Sequence, residues 1–176
     1  ATWLYRYPQA AFPYEELVRV NAERSVDEEE YELADTGILD QDRFFDIHLT
    51  HAKASPTDIC LEVTATNHGP EPAPLHLVPQ VWFRNTWSWG LDGRRPLIRR
   101  GSDEQGVVAI HADHHELGRV LVQAEGSPRV LFCENETNVA TLYGEDQVPA
   151  DHTPYPKDAV DRAVVHGRTD ACNPRE

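Results

Sequence analysis

The densest group of side chains that could bind a ligand lies in residues 82–90, where three tryptophans stand among arginine, asparagine and hydroxyl residues. Indole faces stack on sugar rings, and arginine or asparagine can donate hydrogen bonds to sugar hydroxyls. Tryptophan and arginine are also typical anchors of protein interfaces, and we favour this second role. The candidate carbohydrate or domain-interface residues in this segment are Trp82, Arg84, Asn85, Trp87 and Trp89.

A second polar group follows at the predicted end of a strand, where residues 134–138 read Glu-Asn-Glu-Thr-Asn. Two strand rises place the Cα atoms of Glu134 and Glu136 about 6.7 Å apart, near the separation of carboxylate pairs that hydrolyse glycosides. Any Glu-x-Glu on a strand meets this criterion, so we expect no catalysis here and predict instead that these carboxylates pair with arginines. The residues that join the candidate carbohydrate or domain-interface set are Glu134, Asn135, Glu136 and Asn138.

Histidines and carboxylates crowd together in residues 111–116, which read His-Ala-Asp-His-His-Glu. A zinc-like site needs three or four such ligands that converge, and this spacing departs from the His-x-His plus distant Glu of a cupin-like site. We therefore predict a solvent-exposed turn between strands that end at Ile110 and start at Gly118, with no metal and no other cofactor. A small metal-dependent β-barrel enzyme built on His111, His114 and His115 remains the alternative.

The elements that must position these residues follow from hydrophobic periodicity. Pro13, with Glu15 and Glu16 behind it, predicts a helix that ends near Ser25. From Phe44 onward apolar residues alternate with polar ones, which is typical of strands with one buried face. The predicted strands are the chain opening at residues 1–7, a short one at 31–33, then 45–49, 59–65, 75–83, 107–110, 120–124 and 130–134.

Short strands separated by turn residues, without helices long enough for parallel crossovers, favour an antiparallel arrangement. We predict an all-β fold, an antiparallel β-sandwich with one short N-terminal helix and a long irregular C-terminal segment from Tyr143. Residues 1–176 are expected to form a single domain and to be a segment of a longer polypeptide.

Composition excludes some partners. The 176 residues include 30 acidic and 16 basic side chains, a net charge of −14, which repels nucleic acid. No apolar run approaches a membrane span, so we expect no membrane partner. The three cysteines are widely separated, which favours a reducing, cytoplasmic location. Charge is segregated, with a net of +4 in residues 84–100 and −8 in residues 23–46.

Several long segments resemble bacterial glucosidase-like proteins of glycoside hydrolase family 63, which are related to processing mannosyl-oligosaccharide glucosidase. The likeness spans nearly the whole chain. The segments that carry it are residues 5–15, 31–37, 43–46, 82–90, 132–138, 155–158 and 165–167.

The resemblance implies an N-terminal β-sandwich that precedes a catalytic (α/α)6 barrel in a parent that hydrolyses α-glucosidic or related linkages by inversion. The family's general acid and base lie on the barrel, so no residue of this chain inherits a catalytic role. We expect a non-catalytic domain whose partner is the barrel, with oligosaccharide as a further partner and self-association of the isolated segment through the tryptophan-rich loop. The alternative is a stand-alone carbohydrate-binding sandwich with Trp82, Trp87 and Trp89 as its stacking platform.

Overall fold

The computed structural model describes residues 1–91, 93–150 and 152–174. The chain divides into two compact units, Ala1–Leu75 and His76–Glu176. Each unit holds one three-stranded antiparallel sheet. The predicted antiparallel, mostly β architecture is therefore confirmed, whereas the closure of the two sheets into one sandwich and the single domain stay predictions.

The first unit is a sheet of consecutive strands with one helix in the first connection. Its elements are β1 (Thr2–Pro8), α1 (Tyr14–Glu23), β2 (Phe44–Ser55) and β3 (Asp58–Asn67), with the sheet order β1-β2-β3. The helix after Pro13 and the strands over the alternating segments are thus confirmed. The alternation of apolar and polar residues predicted these strands correctly, because successive side chains of a strand point to opposite faces of the sheet.

The strand predicted at residues 31–33 is wrong. The side-chain amide of Asn21 bonds both backbone groups of Tyr31, accepting from its N–H at 2.8 Å and donating to its C=O at 2.9 Å. A residue whose backbone is paired in this way has no groups left for a sheet ladder. The chain continues instead into a short 3₁₀ turn at Leu33–Thr36, closed at its start by reciprocal bonds between Glu32 and Asp35.

A buried carboxylate, Asp46, lies near the start of the central strand β2. Asp46 accepts hydrogen bonds from Arg6 at 2.9 and 3.3 Å, and Nε2 of His68 lies 2.9 Å from the same carboxylate. The guanidinium of Arg6 also lies over the ring of Phe44, 4.1 Å from its centre. These contacts satisfy a charge that would otherwise be costly to bury.

The second unit combines a sheet with short helices. Its strands are β4 (Leu97–Arg100), β5 (Val107–His114) and β6 (Gly118–Glu125), and its helices are α2 (Val139–Tyr143) and α3 (Ala159–His166). The strands predicted at 107–110 and 120–124 are confirmed within β5 and β6. β4 was not predicted, because its basic sequence lacks the alternation that marked the others.

The prediction of an irregular C-terminal segment holds only in part, since α3 forms there and supplies part of a core. Ala159 and Ala163, four residues apart on one helix face, are 1% and 2% exposed and pack with Cys172. Leu131 and Cys133 pack against this cluster. Small side chains made the helix hard to recognise, because alanine marks an apolar face only weakly.

Two further predicted strands are absent. Residues 75–83 contain Pro79 and follow Pro74, neither of which can donate to a ladder, and the segment has no strand pairing. Residues 130–134 form single bonds with separate partners, since Asn173 donates to the Phe132 carbonyl at 2.8 Å and Glu134 donates to the Tyr155 carbonyl at 2.7 Å. Both segments therefore have irregular structure.

Within residues 1–91, 93–150 and 152–174, no helix has the length and apolar character that a membrane crossing requires.

Candidate functional site

Residues 82–90, here called the tryptophan loop, end in a tight turn. Trp87–Trp89 form one 3₁₀ turn, which Gly90 terminates in the left-handed conformation with φ of 70°. Just before this turn, the side-chain oxygen of Asn85 accepts from the Ser88 N–H at 3.1 Å. Asparagine suits this position because its amide can cap nearby backbone groups.

Two asparagines join the tryptophan loop to residues 134–138, here called the Glu-Asn segment. The side chain of Asn85 donates to the carbonyl of Asn135 at 2.6 Å. The side chain of Asn135 donates in return to the carbonyl of Phe83 at 2.7 Å. Two candidate segments about fifty residues apart in sequence are thereby held together. The sequence indicated each segment separately but did not predict this contact between them.

Glu136 is the most heavily bonded carboxylate of this site. Its Oε1 accepts from the indole Nε1 of Trp87 at 3.2 Å and lies 3.4 Å from a guanidinium nitrogen of Arg95. Its Oε2 accepts from the hydroxyl of Thr153 at 2.8 Å, and its side chain is 15% exposed. Arg95 is one of the arginines that we expected to pair with these carboxylates.

The other two candidate residues of the Glu-Asn segment, Glu134 and Asn138, have local structural partners. Glu134 accepts from the side-chain amide of Asn173 at 3.2 Å. Asn138 caps α2 by accepting from the Thr141 N–H at 3.1 Å, and its amide donates to Asp158 at 2.8 Å. The carboxylates of Glu134 and Glu136 therefore contact different groups instead of facing one common position as an acid and base pair would.

The other tryptophans of the loop face outward. Trp82 is 65% exposed and Trp89 is 60% exposed, while Trp87 is half-buried. The guanidinium of Arg84 lies 5.4 Å from the ring centre of Trp89, within cation–π distance. The loop thus presents two indoles and a cation on a base that Asn85 and Trp87 fix.

The histidine segment differs from the exposed turn that we predicted. β5 continues to His114, so that His111 and Asp113 are strand residues and the turn is limited to positions 115–117. His111 and His114 are half-buried, His115 is an exposed turn residue, and the ring of His114 lies 5.0 Å from that of Phe83. Asp113 pairs with Arg119 on the neighbouring strand β6, and the Arg119 guanidinium donates to the Asp113 carboxylate at 2.6 Å. This cross-strand bond supports the extension of β5 and lowers the pKa of Asp113.

In the described ranges, which omit positions 92, 151, 175 and 176, no group of three or more His, Cys, Asp or Glu side chains could hold a metal ion. His114 instead accepts from the backbone N–H of Glu116 at 3.1 Å through its Nδ1.

Sequence reasoning missed the residues that complete the site from the C-terminal part of the chain. Thr153 bonds Glu136, Tyr155 accepts from the Glu134 N–H, and Lys157 donates its N–H to the Glu136 carbonyl at 3.0 Å. Residues 155–158, Tyr-Pro-Lys-Asp, were noted as part of the family resemblance. Their residue types and spacing gave no separate indication that they contact the Glu-Asn segment.

Comparison with known proteins finds a relative in yeast. The chain is 32% identical to the uncharacterized protein YMR196W of Saccharomyces cerevisiae, in an alignment of 206 positions that covers 97% of this chain. The chain spans 18% of the length of that relative. No family profile matches the chain. No solved structure matches it.

Proposed function

We propose that this chain is a non-catalytic β-sandwich domain of a cytoplasmic glycoside hydrolase resembling family 63, where it packs against a catalytic (α/α)6 barrel. The observation that carries the proposal is the division of roles among the tryptophans of the loop. Trp87 is bonded to Glu136, whereas Trp82 and Trp89 remain mostly exposed. Large indoles held on a fixed base are typical of interface anchors.

The state of the carboxylates supports a non-catalytic role. Inverting hydrolysis needs an acid and a base on opposite sides of one bond, with room for water between them. Glu136 is occupied by Trp87 and Thr153, and Glu134 by Asn173. These bonds hold the Glu-Asn segment in shape and leave no paired arrangement around a shared substrate position.

Length and charge support an additional domain as the partner. The yeast relative is more than five times as long as the segment that aligns with it, which leaves room for a barrel. Residues 84–100 carry a net charge of +4, and Arg84 lies beside Trp89 on the exposed side of the loop. The surface that receives the loop should therefore combine an apolar pocket with carboxylates.

Binding of the chain to a separately expressed barrel of its parent tests this proposal. Replacing Trp82 and Trp89 together with serine should weaken binding by about tenfold or more, since each is a large anchor. Leu142→Ser, which changes a side chain that is 62% exposed on α2, is the matched control. Unchanged binding by the tryptophan variant would contradict the proposal.

The chain alone should not hydrolyse glucosides. A sensitive chromogenic glucoside assay of the purified chain checks this expectation. Turnover that disappears in Glu134→Gln and Glu136→Gln variants would mean that the domain is catalytic and that the proposal is wrong.

The exposed indoles also favour a second candidate function, a stand-alone carbohydrate-binding domain. Calorimetric titration with gluco-oligosaccharides distinguishes the two, because a binding module retains its affinity without the barrel. A measurable affinity that is lost in Trp82→Ser and Trp89→Ser variants would support this alternative over the docking role.

The three cysteines are free thiols, which agrees with the proposed reducing location.

A further inference from the structure

Two of the three cysteines belong to one packed cluster of the second unit. Cys172 is 7% exposed and packs against α3 through Ala159 and Ala163. Its Sγ donates to the Ala159 carbonyl at 3.6 Å. Cys133 packs against the same cluster, and both thiols are free. Two thiols that are 39 positions apart in sequence are thus brought to the same helix.

One backbone hydrogen bond fixes how the two cysteine segments face each other. Asn173 directly follows one cysteine, and Phe132 directly precedes the other. The N–H of Asn173 donates to the carbonyl of Phe132 at 2.8 Å. Between antiparallel chains this is one of the two bonds that flank a non-hydrogen-bonded pair, here Cys133 and Cys172. The members of such a pair have Cα atoms about 4.5 Å apart.

The residues around this bond support the antiparallel direction. Pro174, one residue past Asn173, lines a cleft together with Val130 and Leu131. It therefore lies beside the start of the facing segment, so the two segments run in opposite directions. A parallel arrangement would place Pro174 beside Glu134 instead. The antiparallel relation makes the two cysteines direct cross-chain neighbours.

We propose that Cys133 and Cys172 form a redox-sensitive dithiol, which a hydroperoxide converts to an intrachain disulfide. A disulfide needs Cα atoms about 4.4–6.8 Å apart, and facing residues of an antiparallel pair meet this condition. Both side chains contact the same cluster on α3, so they project to the same side of their segments. A charge on Cys172 also raises the pKa of Cys133, as expected for neighbouring thiols.

The reaction balances with one molecule of hydrogen peroxide. One thiolate attacks a peroxide oxygen, the O–O bond breaks, and a sulfenic acid forms while the other oxygen leaves as water with the proton of that thiol. The second thiolate then attacks the sulfenic sulfur, the S–S bond forms, and hydroxide leaves as water with the second thiol's proton. The two sulfurs are oxidised, and the peroxide is reduced to two molecules of water.

Burial sets the conditions under which this pair reacts. It raises the pKa of both thiols, so the protonated forms predominate at neutral pH. Because the thiolate is the attacking species, oxidation is slow near pH 7 and faster in alkaline solution. The bridge would join Cys172 to the residue directly before the Glu-Asn segment, which supports the tryptophan loop.

Intact-mass spectrometry of the chain after exposure to hydrogen peroxide at about pH 8.5 tests the proposal. The chain should lose two hydrogens, and peptide mapping without reduction should join Cys133 to Cys172. The chain contains no methionine, so sulfoxide formation does not complicate the measured mass. The bridge should raise the midpoint of thermal unfolding by about 5 °C or more, because it restrains the unfolded chain. Dithiothreitol should reverse both changes.

Cys60→Ser, at the exposed thiol of the first unit, is the matched control and should form the same bridge. Cys133→Ala and Cys172→Ala should each lose the intrachain bridge, and circular dichroism verifies that they fold. An unmodified chain without a bridge, a bridge to Cys60, or oxidation of the pair to sulfinic acids instead would overturn the proposal. The test does not involve Trp82 or Trp89, so its failure leaves the proposed docking function open.

Discussion

The indole Nε1 of Trp87 donates a hydrogen bond of 3.2 Å to Glu136, although 49 positions separate the two residues. This contact explains why one of the three loop tryptophans is half-buried while Trp82 and Trp89 are exposed. The half-buried indole of Trp87 fixes the base of the loop, and Glu136 supplies an acceptor that is itself held by Thr153. The exposed indoles therefore lie on an ordered support.

Trp87→Phe should destabilise the second unit by about 1 kcal/mol, because it keeps the aromatic packing but removes the hydrogen bond to Glu136. Urea unfolding monitored by circular dichroism measures the loss. Trp89→Phe is the matched control, and its effect should stay within about 0.5 kcal/mol because that ring is 60% exposed. Equal effects of the two substitutions would contradict the anchoring role of Trp87.

Asn138→Ala should cost about 1 kcal/mol through the loss of the cap of α2. Asn138→Asp tests the other half of the interaction. An aspartate can still accept from the Thr141 N–H, but it would meet the carboxylate of Asp158 where the amide now donates at 2.8 Å. We therefore expect Asn138→Asp to destabilise at pH 7 and to recover in an Asp158→Asn background. Thermal unfolding of the three variants checks this order.

Local sequence patterns predicted the elements whose residue types alternate or repeat according to which face of the element is buried, or that begin with typical helix-start residues. The alternation of β2 and β3 and the proline and acidic start of α1 are of this kind. Tyr31 could not be predicted in the same way, since its fate depends on a side chain ten positions away, Asn21. No local signal distinguishes a tyrosine that enters a strand from one whose backbone an amide already pairs.

The candidate site illustrates the same limit. The sequence indicated Trp87 and Glu136 separately, Trp87 as part of a tryptophan-rich stretch and Glu136 as part of a Glu-x-Glu at a predicted strand end. Their contact, and the part that Thr153 plays in it, depends on how three distant segments pack. The arginine that pairs with Glu136 was expected only as one of a basic group, and Arg95 was not distinguishable from its neighbours by sequence.

Acid should destabilise the first unit through Asp46. Hydrogen bonds from Arg6 hold the pKa of Asp46 below its ordinary value, against the opposing effect of burial. A carboxyl with a depressed folded-state pKa contributes stability that is fully present above the unfolded value of about 3.9 and is lost as the pH falls through the folded pKa. The stability of the unmodified chain should therefore decline below about pH 4.

Asp46→Asn isolates that contribution. The variant should be less stable than the unmodified chain at pH 7, and the two unfolding midpoints should converge as the pH falls. Urea titrations at a series of pH values give the comparison. Asp27→Asn, at an exposed aspartate, is the control and should leave the pH profile unchanged. Parallel pH profiles of the Asp46 variant and the unmodified chain would exclude this ion pair as a source of acid sensitivity.

Gly101→Ala should destabilise the second unit by about 1–3 kcal/mol through overpacking. An added Cβ would lie 2.9 Å from Nε2 of His111 and 3.2 Å from Cβ of Ala109, so a side chain of β5 would have to move. Gly93→Ala, which meets nothing within 4 Å, should change stability by less than about 0.5 kcal/mol. In a His111→Ala background the cost of Gly101→Ala should fall, since the nearer obstacle is gone. Urea unfolding of the double-mutant cycle measures this coupling, and an equal cost in both backgrounds would mean that His111 does not confine Gly101.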